Sequence, residues 1–170
     1  TIEDENGKIN VNDCATGRCK NVTEGLVALF SSPAEKAFLQ EKNLTPEQLA
    51  YRVKDFLSKS KQASPESGDG SKNSYYESQE PPYKTKEGVP FDSLDELKLV
   101  QGWDDEVHAV FAPFLTIFPF NNTDNGEKSR VNLNTASIEL LAGLIPSSMS
   151  DSCRDSFLKK MKKIQKDSSI

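Results

Sequence analysis

Apolar positions recur at helical spacing through much of the chain. Leu49, Val53, Phe56 and Leu57 fall at i, i+4, i+7 and i+8, which is one face of a helix. Thr45-Pro46-Glu47-Gln48 supplies the start, with a capping hydroxyl, proline at the first helical position and glutamine three residues after the cap. Upstream, Leu26, Val27, Leu29 and Phe30 predict a helix capped by Asn21 or Thr23, and Ser32-Pro33 restarts one through Ala37, Phe38 and Leu39. Downstream, Ser93-Leu94-Asp95-Glu96 is a capping box whose helix runs through Leu97 and Val100 to Gly102. Asp104, Asp105 and Glu106 suit the positive end of a further helix through Val107, Val110 and Phe111.

Other stretches follow other periods. Val131 and Leu133 alternate with Asn132 and Asn134, the pattern of a half-buried strand over residues 130–134. A helix through Ile138, Leu141, Ala142 and Ile145 follows, capped by Asn134 or Thr135 and ending between Gly143 and Pro146. Lys8-Ile9-Asn10-Val11-Asn12 repeats the pattern of basic residue, β-branched residue, Asn, aliphatic residue, Asn, with Asp13 in the place of Thr135. That predicts a second strand at 8–12, after a turn at Glu5-Asn6-Gly7. The aromatic and β-branched run between Pro113 and Pro119 predicts a short buried strand over 115–118, and Asn121–Glu127 reads as a turn. Residues 58–90 have neither period. In that long irregular loop, 60–73 are expected to be mobile, while Tyr75, Tyr76 and Tyr83 anchor the remainder.

Composition changes the picture modestly. The 170 residues include 9 Phe, 4 Tyr and 1 Trp, enough large side chains to build a core despite the polar average. The net charge of −5 argues against a general nucleic-acid binder. Residues 151–170 nevertheless carry six Lys/Arg against three Asp, or +3, leaving −8 elsewhere. Phe157, Leu158, Met161 and Ile164 give that segment an apolar stripe, so packing with an outward lysine face is the expectation. No run reaches the roughly 20 apolar residues that cross a bilayer. The abrupt start at Thr1-Ile2-Glu3-Asp4 reads as that of an excised piece.

Candidate chemistry is sparse. One histidine, His108, and three scattered cysteines make no zinc set. Cys14 and Cys19 can close a short loop in an oxidising compartment, with Gly17 easing the turn, and Cys153 reads as a small buried residue. Asp4-Glu5-Asn6-Gly7 fails as a calcium loop. With Gly7 at the sixth position, Ile2 stands where the first carboxylate belongs and Asp13 where the bidentate Glu belongs. No phosphate loop or nucleophile elbow is present, so a binding or assembly role is favoured over an enzyme.

Six motifs in fixed order carry a resemblance. They are Asp4-Glu5-Asn6-Gly7-Lys8-Ile9-Asn10-Val11-Asn12, Ser74-Tyr75-Tyr76, Pro81-Pro82-Tyr83, Phe91-Asp92-Ser93-Leu94-Asp95-Glu96-Leu97, Val100-Gln101-Gly102 and Val131-Asn132-Leu133-Asn134-Thr135-Ala136. Together they resemble the K-type minor pseudopilin of bacterial type II secretion systems. The resemblance implies a mainly α fold in which two sterile-alpha-motif-like helical units form a domain inserted in a pseudopilin sheet. Residues 1–13 would lead in from that sheet, 14–128 would form the first unit with its loop at 58–90, and 129–170 the second. An N-terminal membrane helix and C-terminal sheet strands are expected outside this stretch, anchoring a periplasmic protein in the inner membrane.

By the same resemblance the protein is structural. It would cap the pseudopilus tip with I- and J-type partners and meet secreted substrate or the outer-membrane secretin. Asn10, Asn12, Asn132, Asn134 and Thr135 are then structural caps. Calcium is a property of the family. Of its acidic motif only Asp55 remains here, so Asp55, Glu66, Asp69 and Glu77 are the calcium candidates, with no other cofactor expected. The rival reading is a helix-hairpin-helix DNA module, which Asn132-Leu133-Asn134-Thr135-Ala136 could also begin. Its turn normally carries Gly-hydrophobic-Gly, and Gly143-Leu144-Ile145-Pro146-Ser147 lacks the second glycine.

Overall fold

The computed structural model describes residues 4–118, 131–145 and 148–167. The chain is mainly helical, with helices α1 (Cys19–Phe30), α2 (Pro33–Glu41), α3 (Pro46–Leu57), α4 (Ser74–Glu77), α5 (Asp105–Phe111), α6 (Ile138–Leu144) and α7 (Asp151–Asp167). Strand β1 (Ile9–Asn10) pairs in parallel with β2 (Leu115–Thr116), Ile9 opposite Leu115 and Asn10 opposite Thr116. Short 3-10 turns at Glu5–Gly7, Val11–Thr16, Pro65–Ser67, Leu94–Leu99 and Ala112–Phe114 join these elements.

Local chemistry explains most boundaries. Thr45 and Gln48 form the reciprocal capping box of α3, each bond 3.1 Å long. The Ser93/Glu96 box also forms, but it opens a 3-10 helix that gives way to extended backbone at Val100, short of Gly102. Asp104 caps α5 through the Val107 amide at 2.9 Å. Helix α1 starts at Cys19, ahead of the expected caps Asn21 and Thr23. The preceding 3-10 helix ends at Gly17, in the left-handed region at φ 82°, and Arg18 N–H then donates to Asp13 O.

The two predicted Asn-rich strands are corrected in the same way. Strand 8–12 shrinks to Ile9–Asn10, because the Asn10 side chain accepts the Asn12 amide at 3.1 Å and bends the chain into a 3-10 helix. Residues 131–134, the described part of the strand expected at 130–134, form a turn. The Asn132 side chain accepts the Asn134 amide at 3.1 Å, and the Asn132 carbonyl accepts the amides of Thr135 and Ala136. Alternation suggested a pleat, but both asparagines fold back on their own backbone two residues on. The cap of α6 is accordingly Ser137, whose hydroxyl accepts the Leu140 amide, and neither Asn134 nor Thr135. The helix ends at Leu144; Pro146 and the Asn121–Glu127 turn lie outside the described residues. The expected strand 115–118 is ordered as β2 over two residues, with Ile117 still buried and Phe118 exposed.

The core sits under α1 and α3. Phe30 of α1 lies 4.5 Å from Phe111 and 6.0 Å from Trp103, ring centre to ring centre. A second aromatic group joins α3 to the long loop. Phe56 meets Tyr76 edge-on at 5.1 Å and stacks on Phe91 at 5.9 Å, and Tyr83 packs on Tyr76 while donating its hydroxyl to Leu99 O at 2.9 Å. Tyr76 and Tyr83 thus hold the loop, whereas Tyr75 stays at the surface. Within residues 60–73, where mobility is expected, Ser64, Ser67 and Lys72 are buried while most of the others are exposed. Ser67 is fully buried, and both Asp55 oxygens accept from Ser64, one from its amide and one from its hydroxyl, each at 2.7 Å. Helix α6 packs on α1 and α7 on α6. Cys153, expected to be buried, is exposed on the outward side of α7.

Candidate functional site

The two Asn motifs meet. Asn132 N–H donates to Asn6 O at 2.6 Å, and Asp4 Oδ2 accepts from Thr135 Oγ1 at 2.7 Å and from Asn132 Nδ2 at 3.0 Å. Gly7 makes the approach possible, since a Cβ there would lie 2.9 Å from the Thr135 carbonyl. The Thr135 hydroxyl, the Asn6 amide and the Asn132 side chain hold the Asp4 carboxyl below its ordinary value.

A depressed carboxylate stabilises the fold above its unfolded pKa, here 3.8, and that contribution is lost as pH falls through the lower folded value. Asp4→Asn is therefore expected to melt below the wild type at neutral pH. The gap should close as pH falls below 3.8. Melting curves across acid pH check this, and a gap independent of pH would contradict it.

Asn12 is the deeper of the paired residues. At 2% exposed, it accepts the Phe91 amide at 2.8 Å and donates to the carbonyls of Phe91 at 3.0 Å and Ile117 at 3.2 Å. One side chain so ties the N-terminal segment to two chain segments about 80 and 100 residues away. Asn10 is likewise buried and serves the turn above. The Sγ atoms of Cys14 and Cys19 are bonded, linking the 3-10 turn Val11–Thr16 to the first residue of α1.

The calcium candidates are dispersed. Asp55 is occupied by Ser64, Asp69 pairs with Arg52 at 3.2 Å, Glu77 faces Lys84 at 3.7 Å, and Glu66 lines a groove of about 650 Å³ with Glu24, Glu47 and Tyr51. Among the described residues, no three His, Cys, Asp or Glu are placed to hold a metal. This donor set does not fit calcium, which takes six to eight oxygens. Close to Ser64 along the same loop, Lys72 is buried and its Nζ donates to the carbonyls of Ser58 and Ser60. Nothing in its polar surroundings, Gly70-Ser71-Lys72-Asn73, marks it in the sequence.

His108 is structural as well. Its Nδ1 accepts the indole N–H of buried Trp103 at 3.3 Å, leaving Nε2 3.4 Å from Asp95. Lys159, Lys162, Lys163 and Lys166 fall at i, i+3, i+4 and i+7 on the solvent side of α7, and none has an ion-pair partner among the described residues. Met161, on the opposite face, is buried. The last helix therefore presents a lysine stripe on a chain that is acidic elsewhere.

Comparison with protein families matches residues 7–120 to the type II secretion system protein K model, well over half of the 170 residues. The chain belongs to that family. A comparison with curated proteins gives no match. The protein K match spans both strands, α1 to α5 and the whole long loop, so it covers Asn12, Phe56, Asp55 and Lys72. The Asn132–Thr135 turn and the lysine stripe of α7 lie beyond the matched span. Family membership makes the chain a structural component of protein secretion, working with other parts of that apparatus. No described helix is long and apolar enough to cross a membrane.

Proposed function

We propose that this chain is the periplasmic helical domain of a K-type minor pseudopilin, two sterile-alpha-motif-like units that cap the pseudopilus tip. The protein K match over residues 7–120 carries the reading. In its full-length form the protein is anchored in the inner membrane, associates with I- and J-type minor pseudopilins, and supports export across the outer membrane. Contacts with secreted substrate or the secretin belong to the same role.

The use of the polar side chains supports a scaffold. Asn12, Asp55, His108 and Asp4, which could have served a reaction or a ligand, each accept or donate within the fold. The DNA reading is disfavoured locally. The turn that would meet phosphate, Gly143-Leu144-Ile145-Pro146-Ser147, lacks the second glycine, and the chain's net charge is −5.

Complementation tests the role. A strain lacking its K-type protein should retain a type II cargo in the periplasm, and the full-length form of this protein, expressed with its own I- and J-type partners, should restore export. Retention of cargo despite normal accumulation of all three proteins would contradict the proposal.

A further inference from the structure

One face of α7 carries its charges in order. Asp151, Asp155, Lys159, Lys162 and Lys166 fall at i, i+4, i+8, i+11 and i+15, all exposed, so one outward stripe is acidic in its first half and basic in its second. The helix dipole favours that order of signs along the axis. It does not account for the carboxylates gathered beside the acidic end. Arg154, at that end, lines the groove of about 650 Å³, whose rim holds Glu24, Glu47 and Glu66 over a floor that includes Val27, Leu144 and Ile145. All three glutamates are exposed, and only Glu24 has an ion-pair partner among the described residues, Lys20 at 3.9 Å. The Arg154 guanidinium is turned inward and donates to Ala142 O at 2.7 Å. Lys162 and Lys166 stand roughly 12 and 18 Å past Arg154 along the helix axis, away from the groove of their own chain.

We infer that this face is a docking surface for a second copy of the chain, with two α7 helices antiparallel and the basic end of each lying over the acidic end and groove of the other. Charge complementarity selects this occupant and this direction. Antiparallel pairing sets Lys159, Lys162 and Lys166 of one copy against Asp151, Asp155 and the groove glutamates of the other, whereas parallel pairing would set lysine against lysine. The aliphatic stems of the lysines suit the apolar floor, with the ammonium groups at the rim. Because one stripe serves both copies, the contact is two-fold and closes at the dimer. An interface made of exposed charges is weak and screened by salt. The inference stands apart from the assembly role, because it concerns this chain's association with itself.

Analytical ultracentrifugation of the full chain at sub-millimolar concentration tests it. In low salt the wild type should sediment toward twice the monomer mass, and in molar sodium chloride as a monomer. The variant Lys159→Glu/Lys162→Glu/Lys166→Glu should be monomeric in both, and so should Asp155→Lys/Glu47→Lys/Glu66→Lys, each with the circular dichroism spectrum of the wild type. Mixed in equal amounts in low salt, the two variants should associate with each other, since the reversed lysine end of one then faces the reversed groove of the other.

Three results would overturn the inference. They are a wild type that stays monomeric in low salt, a dimer that survives molar salt or the lysine reversal, or folded variants that remain apart when mixed. The salt dependence of the wild type decides the matter by itself should either variant fail to fold.

Discussion

Asn12→Ala is expected to lower the unfolding free energy by about 3–5 kcal/mol. The side chain makes three bonds in a buried setting, accepting from Phe91 N and donating to Phe91 O and Ile117 O. Its removal leaves three backbone groups without these partners, and a buried group so stranded costs roughly 1–3 kcal/mol, with overlap between neighbours reducing the sum. Asn12→Asp is a sharper probe of chemistry. It keeps the shape and the acceptor for Phe91 N–H but sets a carboxylate against two carbonyls, so it should be at least as damaging at neutral pH and recover in part in acid. Chemical denaturation of the wild type and both variants measures the effect. An alanine variant within about 1 kcal/mol of the wild type would show that Asn12 is not the tie described.

Phe56→Ala should rank beside it, at about 3–5 kcal/mol for a large buried ring. Phe56 is 1% exposed and carries both Tyr76 and Phe91 on its ring, so the variant removes the apolar anchor of the long loop as well as core volume. Amide hydrogen exchange should accelerate across residues 64–91 more than across α1. The two substitutions share Phe91, held by its backbone to Asn12 and by its ring to Phe56. The double variant should therefore fall short of the sum of the singles. Strict additivity, or faster exchange spread evenly over the helices, would argue that the loop is held by other contacts.

The apolar pattern revealed what depends on spacing. Leu49, Val53, Phe56 and Leu57 placed α3, and the Thr45/Gln48 box fixed its first residue, because both signals act within a turn of the helix they describe. Segments governed by side chains bonding to distant or adjacent backbone were misread. Asn10 and Asn132 occur in alternating patterns, yet each bonds the amide two residues on, which converts a predicted strand into a turn. The buried positions within 60–73 were not visible in the sequence because their contacts are polar. Ser64 on Asp55, and Lys72 on two carbonyls, leave no hydrophobic period to find. Cys153 looked buried because cysteine usually is, but it faces outward on α7, whose packing surface is filled by Phe157, Leu158 and Met161.

The same distinction applies to the candidate site. The recurrence of Asn-x-Asn was visible in the sequence, but not the carboxylate that joins its second copy to the N-terminal segment. Asp4 and Thr135 are 131 residues apart, and only the fold brings them to 2.7 Å. The four calcium candidates were chosen by charge, and charge does not say which carboxylates share a cage. Both Asp55 oxygens are taken by Ser64, while Asp69 and Glu77 each answer a different basic side chain.

Co-purification tests the central claim most directly. The full-length protein, co-expressed with the I- and J-type minor pseudopilins of its own secretion system and solubilised from membranes, should be recovered with both through a tag on any one of the three. Recovery of the I- and J-type proteins together without this chain, while it remains folded and abundant, would contradict its place in the pseudopilus tip.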